Sequence, residues 1–175
     1  MFVSPYAFEP HYNGTEKYIG LDGNLRSHAR VVKTGDMYPI CPGITLQHCW
    51  TEKQYRDIDA SGLKVQEKEG FLTEDFRHEQ YLLVEEHGKR VLFSGCSHKG
   101  IFNVVHWFQP DVLVGGFHLS KMPIDSVLEG YARELAQCPT VFYTCHCTGT
   151  TQFDYMKRFM PNLSYLSTGD WLEIS

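Results

Sequence analysis

Between Val91 and Pro161 the chain passes three times through the same short pattern: an apolar strand, a turn ending in or containing histidine, and a helix with one apolar face. The first round is Val91 to Ser94, Gly95-Cys96-Ser97-His98, then Ile101, Val104, Val105 and Phe108 at helical spacing. The second is Asp111 to Val114, Gly115-Gly116-Phe117-His118, then Ile124, Val127, Leu128, Tyr131 and Leu135 on one predicted helix face. The third is Thr140 to Tyr143, Thr144-Cys145-His146-Cys147-Thr148-Gly149, and a helix through Phe153, Met156 and Phe159 that Pro161 would end. Strands that alternate with helices form crossovers, which keep the strands parallel and bring their C-terminal ends to one edge. His98, His118 and His146 are therefore expected to converge.

The flanks are read from their turn signals. Tyr81 to Val84 and Val91 to Phe93 bracket His87-Gly88-Lys89, which predicts a hairpin. Leu163 to Leu166, a Thr168-Gly169-Asp170 turn and Trp171 to Ile174 predict a closing hairpin. The first 70 residues are punctuated by Gly14, Gly20, Gly23, Gly35, Pro39, Pro42 and Gly43 and read as loops with a few short strands. No linker interrupts the 175 residues, and 42% hydrophobic content suffices for one core, so residues 1–175 are expected to form a single domain.

Charge and composition exclude several partners. Sixteen basic against 21 acidic residues, with no basic stripe, argue against nucleic acid. No apolar run approaches the roughly 18 residues of a membrane span, and Met1-Phe2-Val3-Ser4-Pro5 is not a signal sequence, so no membrane and a cytoplasmic location are expected. Six cysteines in a chain of this size read as reduced thiols.

Gly95-Cys96-Ser97-His98-Lys99-Gly100 combines glycines that allow a tight strand-to-helix turn with two borderline-soft metal ligands. Its alternative reading is a buried thiol beside a packed histidine. In Cys145-His146-Cys147, neighbours on an extended strand face opposite ways, which would leave His146 alone on one face. A zinc ribbon lacks its paired C-x-x-C spacings. Histidines 11, 28, 48, 78, 87 and 106 are taken as surface or structural residues. Cys96 at a helix start, two residues from His98, could also be a nucleophile. Serine-hydrolase, dinucleotide and nucleoside-triphosphate motifs do not occur.

The run Val91 to Asn103, with Gly115-Gly116-Phe117-His118-Leu119, His146-Cys147-Thr148-Gly149, Pro42-Gly43-Ile44 and Glu79-Gln80, resembles the metallo-β-lactamase superfamily. It looks most like the branch of dihydropterin ribofuranosylaminobenzene phosphate synthase-like metallohydrolases. The resemblance implies an α/β (α+β) chain, the C-terminal half of an αββα sandwich, with a one- or two-metal site that cleaves a small phosphoester or ester. It implies His98 and His146 as ligands of a divalent metal, zinc first, with manganese, iron or nickel as alternatives. Cys96, His118, Cys147 and Thr148 would be further ligands, supports behind them, or pocket lining.

The superfamily's His-x-His-x-Asp-His is absent, and no His-x-His occurs in the chain. Met1 to Glu9 looks like the strand that follows that motif in relatives, so the chain is expected to be a truncated piece or a split gene product. Three functions follow: a hydrolase-family domain inactive or weak as this fragment, a non-catalytic ligand-binding or interaction module with a degenerate metal site, or a Cys96-based thiol enzyme. A homo-oligomer, or association with a missing N-terminal half, is expected to cover the apolar surface left open.

Overall fold

The computed structural model describes residues 1–174. In chain order the strands are β1 (Phe2–Val3), β2 (His11–Asn13), β3 (Lys17–Tyr18), β4 (Val32–Lys33), β5 (Met37–Cys41), β6 (Ile44–Gln47), β7 (Leu63–Glu67), β8 (Gly70–Thr73), β9 (Tyr81–Glu86), β10 (Lys89–Phe93), β11 (Val112–Gly115), β12 (Val141–Thr144) and β13 (Leu163–Tyr165). The helices are α1 (Ile101–Phe108), α2 (Ser126–Leu135) and α3 (Thr150–Lys157). Among the described residues no helix is long and apolar enough to cross a membrane.

Seven strands form the main sheet in the order β13-β12-β11-β10-β9-β6-β5. Strands β10 to β13 run parallel, each joined to the next through a helix, while β9 and β10 form the expected hairpin around His87-Gly88. Register places Leu83, Leu92, Leu113, Phe142 and Leu163 side by side across five strands, all essentially buried. Alternation along a strand sends this whole row to one face. There it packs with Ile101, Val104 and Phe108 of α1, Leu128, Ala132 and Leu135 of α2, and Met156 of α3. On the other face Phe93 and Val141 stay about 40% exposed. This core holds the C-terminal ends of β10, β11 and β12 in a fixed relation.

Two readings of the sequence are corrected. Leu163–Tyr165 pairs parallel with β12, and residues 171–174 form no strand, so there is no closing hairpin. Leu163 completes the buried row, and that burial decides the pairing. In α2, Asp125 caps the helix by accepting from the Val127 and Leu128 amides, so Ile124 lies before it and, with Val127, stays exposed. The buried face is Leu128, Ala132 and Leu135.

The first 80 residues are more ordered than their pattern suggests. They contribute β5 and β6 to the main sheet, a four-stranded antiparallel sheet β3-β2-β7-β8, and the parallel pair β1-β4. These strands are two to five residues long, too short for periodicity to reveal.

Candidate metal centre

The three strand-end turns are backbone-strained. Ser97, His118 and His146 all sit at φ between 50° and 55°, a left-handed conformation that non-glycine residues adopt at a cost. Gly100, at φ 87°, supplies the last bend before α1 without that cost. At Gly116 any side chain would strike Cys147 Sγ, so glycine there lets two of the turns touch.

The turns bring the candidate ligands into two overlapping groups. Cys96, His98 and His118 each offer a ligand atom, and these atoms lie within 4.8 Å of one another; Cys96, His146 and Cys147 form a second such group. Cys96 belongs to both. The His98 and His118 ring centroids are 4.4 Å apart, and His118 Nδ1 is buried with no hydrogen-bond partner among the described residues. His98 and His146, the pair expected to share an ion, thus fall in different groups joined through Cys96.

The sequence expectation that His146 would stand alone on one face is overturned. The strand ends at Thr144, and His146 to Thr148 form a short 3-10 turn in which neighbours no longer alternate. Cys147 therefore faces Cys96 with His146. Thr148 is fully buried, its hydroxyl accepting from the Phe117 amide at 2.9 Å and sharing a hydrogen bond with Thr144, so it braces the turn that carries His118.

Electrostatics in the cluster centre on Cys96 and Glu79. Cys147 and His118 at its side hold the Cys96 thiol well below its ordinary pKa, and Cys147, which donates to the Cys96 carbonyl, is pushed up by its contact with Cys96 and by burial. Glu79 is buried and accepts from the His98 amide (2.7 Å), the Lys99 amide (3.0 Å) and the Tyr81 hydroxyl (2.7 Å). Burial alone would raise Glu79, yet these hydrogen bonds and His98 bring it below the usual carboxylate range. Burial would lower His98, but its contact with Glu79 outweighs that and raises it. Glu79 Oε1 lies 3.5 Å from His98 Nδ1. The sequence offered Glu79 only as part of a resemblance, because the amides that it accepts from stand 19 and 20 residues downstream.

A cavity of about 120 Å³ opens beside the cluster, with walls that include Ser97, His98, Phe102, His118, Tyr131 and Arg56. Arg56 lies 3.8 Å above the Phe102 ring and pairs with Glu134. Its loop is pinned by buried Asn103, whose side chain accepts from the Tyr55 and Arg56 amides and donates to the Arg56 carbonyl. The pocket thus joins an aromatic wall, a cation and the imidazoles.

Among the other histidines, His28, His87 and His106 are exposed, and His48 is buried against Thr34 Oγ1 at 2.8 Å. His11 and His78, assigned to surface or structure by the sequence, meet at Glu74 in a third cluster.

No protein-family profile matches the sequence, and no curated protein matches it. Among solved structures, a metal-dependent hydrolase of the beta-lactamase superfamily superposes on 99% of this chain and 70% of its own, with TM-score 0.83 and 24% identity. An isothiocyanate hydrolase from Delia radicum gut bacteria aligns over 87% of this chain and 62% of its own at TM-score 0.44 and 12% identity, too distant to weigh. The seven-stranded sheet, its parallel crossovers and the first superposition give this chain the fold of the β-lactamase superfamily of metal-dependent hydrolases.

Proposed function

We propose that this chain is a metal-dependent hydrolase-type domain acting on a small phosphoester or ester. The observation that carries the reading is the convergence of Cys96, His98 and His118 with His146 and Cys147 at the ends of three parallel strands. The donor set fits a divalent ion: thiolate and imidazole suit zinc, with manganese, iron or nickel as alternatives, and the unpartnered His118 Nδ1 is a nitrogen in want of a partner. A bound ion would act as a Lewis acid and lower the pKa of a coordinated water toward about 7.

The chain's own groups orient and bind. With Nδ1 turned to Glu79, His98 has Nε2 left for an ion, and the buried carboxylate keeps the ring from rotating. Arg56 above Phe102 would pair with an anionic substrate group while Tyr131 and Phe102 cover its apolar part. No His-x-His occurs in these residues, so the ligands proposed for this centre come from the turns alone, and we expect weak metal retention at it and low turnover from this chain alone. A homo-oligomer, or pairing with a further segment, would cover the exposed face around Phe93 and Val141.

The test is hydrolysis of bis(p-nitrophenyl) phosphate, p-nitrophenyl phosphate and p-nitrophenyl acetate by chelator-treated protein, with and without added zinc or manganese. Metal-dependent turnover that His98→Ala and His146→Ala abolish is expected. Stoichiometric metal with no turnover of any ester would defeat the hydrolase reading in favour of a ligand-binding module. A second reading, Cys96 as nucleophile, is favoured by the thiol's lowered pKa, to which His118 beside the cavity contributes, and by His118's place within 4.8 Å of it. It requires inactivation by a thiol reagent and indifference to chelator.

A further inference from the structure

The N-terminal half assembles a cluster that the proposed reaction does not use. His11 lies on β2, Glu74 follows β8, and His78 precedes β9. His11 Nδ1 is 2.6 Å from Glu74 Oε2, and His11 Nε2 is 3.0 Å from the Tyr6 carbonyl. A carbonyl can only accept, so Nε2 carries hydrogen and Nδ1 is the nitrogen presented to the carboxylate. The Phe76 amide donates to Glu74 Oε1 at 2.9 Å and fixes the carboxylate's orientation. These are the outer contacts that orient metal-binding imidazoles and carboxylates.

A buried His11–Glu74 ion pair would account for two of the three residues, but it leaves His78 unexplained. The His78 ring lies against His11, centroids 4.1 Å apart, and its Nδ1 points to the same carboxylate at 3.7 Å. That nitrogen is buried and has no hydrogen-bond partner among the described residues. The three ligand atoms lie within 4.8 Å of one another. A cavity of about 310 Å³ adjoins them, walled by Ile19, Leu21 and Leu63 and bordered by His98. It has room for a water or small anion in an open coordination position.

We propose that His11, Glu74 and His78 form a second divalent-metal site, distinct from the cluster around Cys96. Two imidazole nitrogens and a carboxylate oxygen, without thiolate, make a harder ligand set suited to zinc or ferrous iron. The ion takes the place of the proton shared by His11 and Glu74 and gives His78 Nδ1 its missing partner. Phe76 stacks on His98 at 4.9 Å and neighbours His78, so this ion would lie in its own cavity with His98 on the border between the two clusters. The proposal does not depend on the hydrolase reading.

The test measures zinc binding by equilibrium dialysis in the full chain carrying Cys96→Ser and His146→Ala, which strip both groups of the first cluster. About one zinc per chain should remain. Adding His78→Gln should weaken it by about 100-fold or more, and Glu74→Gln should do the same. His78 Nδ1 makes no hydrogen bond in the absence of metal, so above about pH 6.5, where the imidazole is neutral folded or unfolded, His78→Gln should leave metal-free thermal unfolding unchanged and decides the matter even if Glu74→Gln fails to fold. Absence of zinc from the doubly substituted chain, or zinc held as tightly after His78→Gln, would overturn the proposal.

Discussion

The two candidate ligand clusters are built in opposite ways. The one around Cys96 takes its groups from three successive turns at the ends of adjacent parallel strands, each within five residues of its strand. A buried row of large side chains holds those strands in register. The His11, Glu74 and His78 cluster joins a three-residue strand to the one loop between β8 and β9, and a charged hydrogen bond across 63 positions fixes it. Repetition of one supersecondary unit makes convergence a consequence of topology. A cluster made by a strand and a loop distant in sequence depends instead on each contact it forms.

The largest effect should come from the scaffold of the first cluster. Leu113→Ala, in the middle of the buried row, is expected to cost about 2–5 kcal/mol in urea unfolding. Glu79→Ala strands two backbone donors and the Tyr81 hydroxyl, so a loss of about 3 kcal/mol is expected, together with weaker metal binding at His98. A Glu79 variant of normal stability would mean that water replaces the carboxylate and that His98 is not positioned by it.

The second cluster should show in the pH dependence of the metal-free protein. Burial, with His11 nearby, lowers His78 to about 4 from an ordinary 6.5, so the unfolded chain binds the extra proton between those values. Stability from this group is full above about pH 6.5, declines as pH falls through the window, and levels off below about 4, by at most about 3 kcal/mol. His11 acts oppositely: burial lowers it, but Glu74 raises it further, so its contribution is present below 6.5 and is lost as pH rises through its folded value. Replacing His78 with Gln should flatten the decline between pH 4 and 6.5. An unchanged slope would show that His78 is solvated. At the small end, Leu72→Ala on β8, 52% exposed, should shift stability by no more than about 0.5 kcal/mol.

The same contrast explains what could be read from sequence. The strand, turn and helix rhythm announced the parallel sheet, the α1 face and the meeting of His98 with His118, because each signal is local. The turn at His146 was misread because alternation was carried two residues past the end of β12. The partner of β13 was missed because Trp171 to Ile174 imitates a strand, while the burial of Leu163 is a property of the whole sheet. Glu79 and the His11 cluster have no spacing signature at all. An acidic residue before an apolar strand looks like a solvated strand end until the tertiary fold buries it under two amides.

Cys96, common to both groups at the strand ends, is the proposed shared ligand of the metal centre. Cobalt(II) added to chelator-treated protein tests it directly, since a coordinated thiolate gives a charge-transfer band in the near ultraviolet that imidazole and carboxylate do not. The band is expected in the unaltered chain, with its loss or strong reduction in Cys96→Ser and a smaller change in Cys147→Ser. Cobalt bound without a thiolate band, or a band untouched by Cys96→Ser, would contradict it.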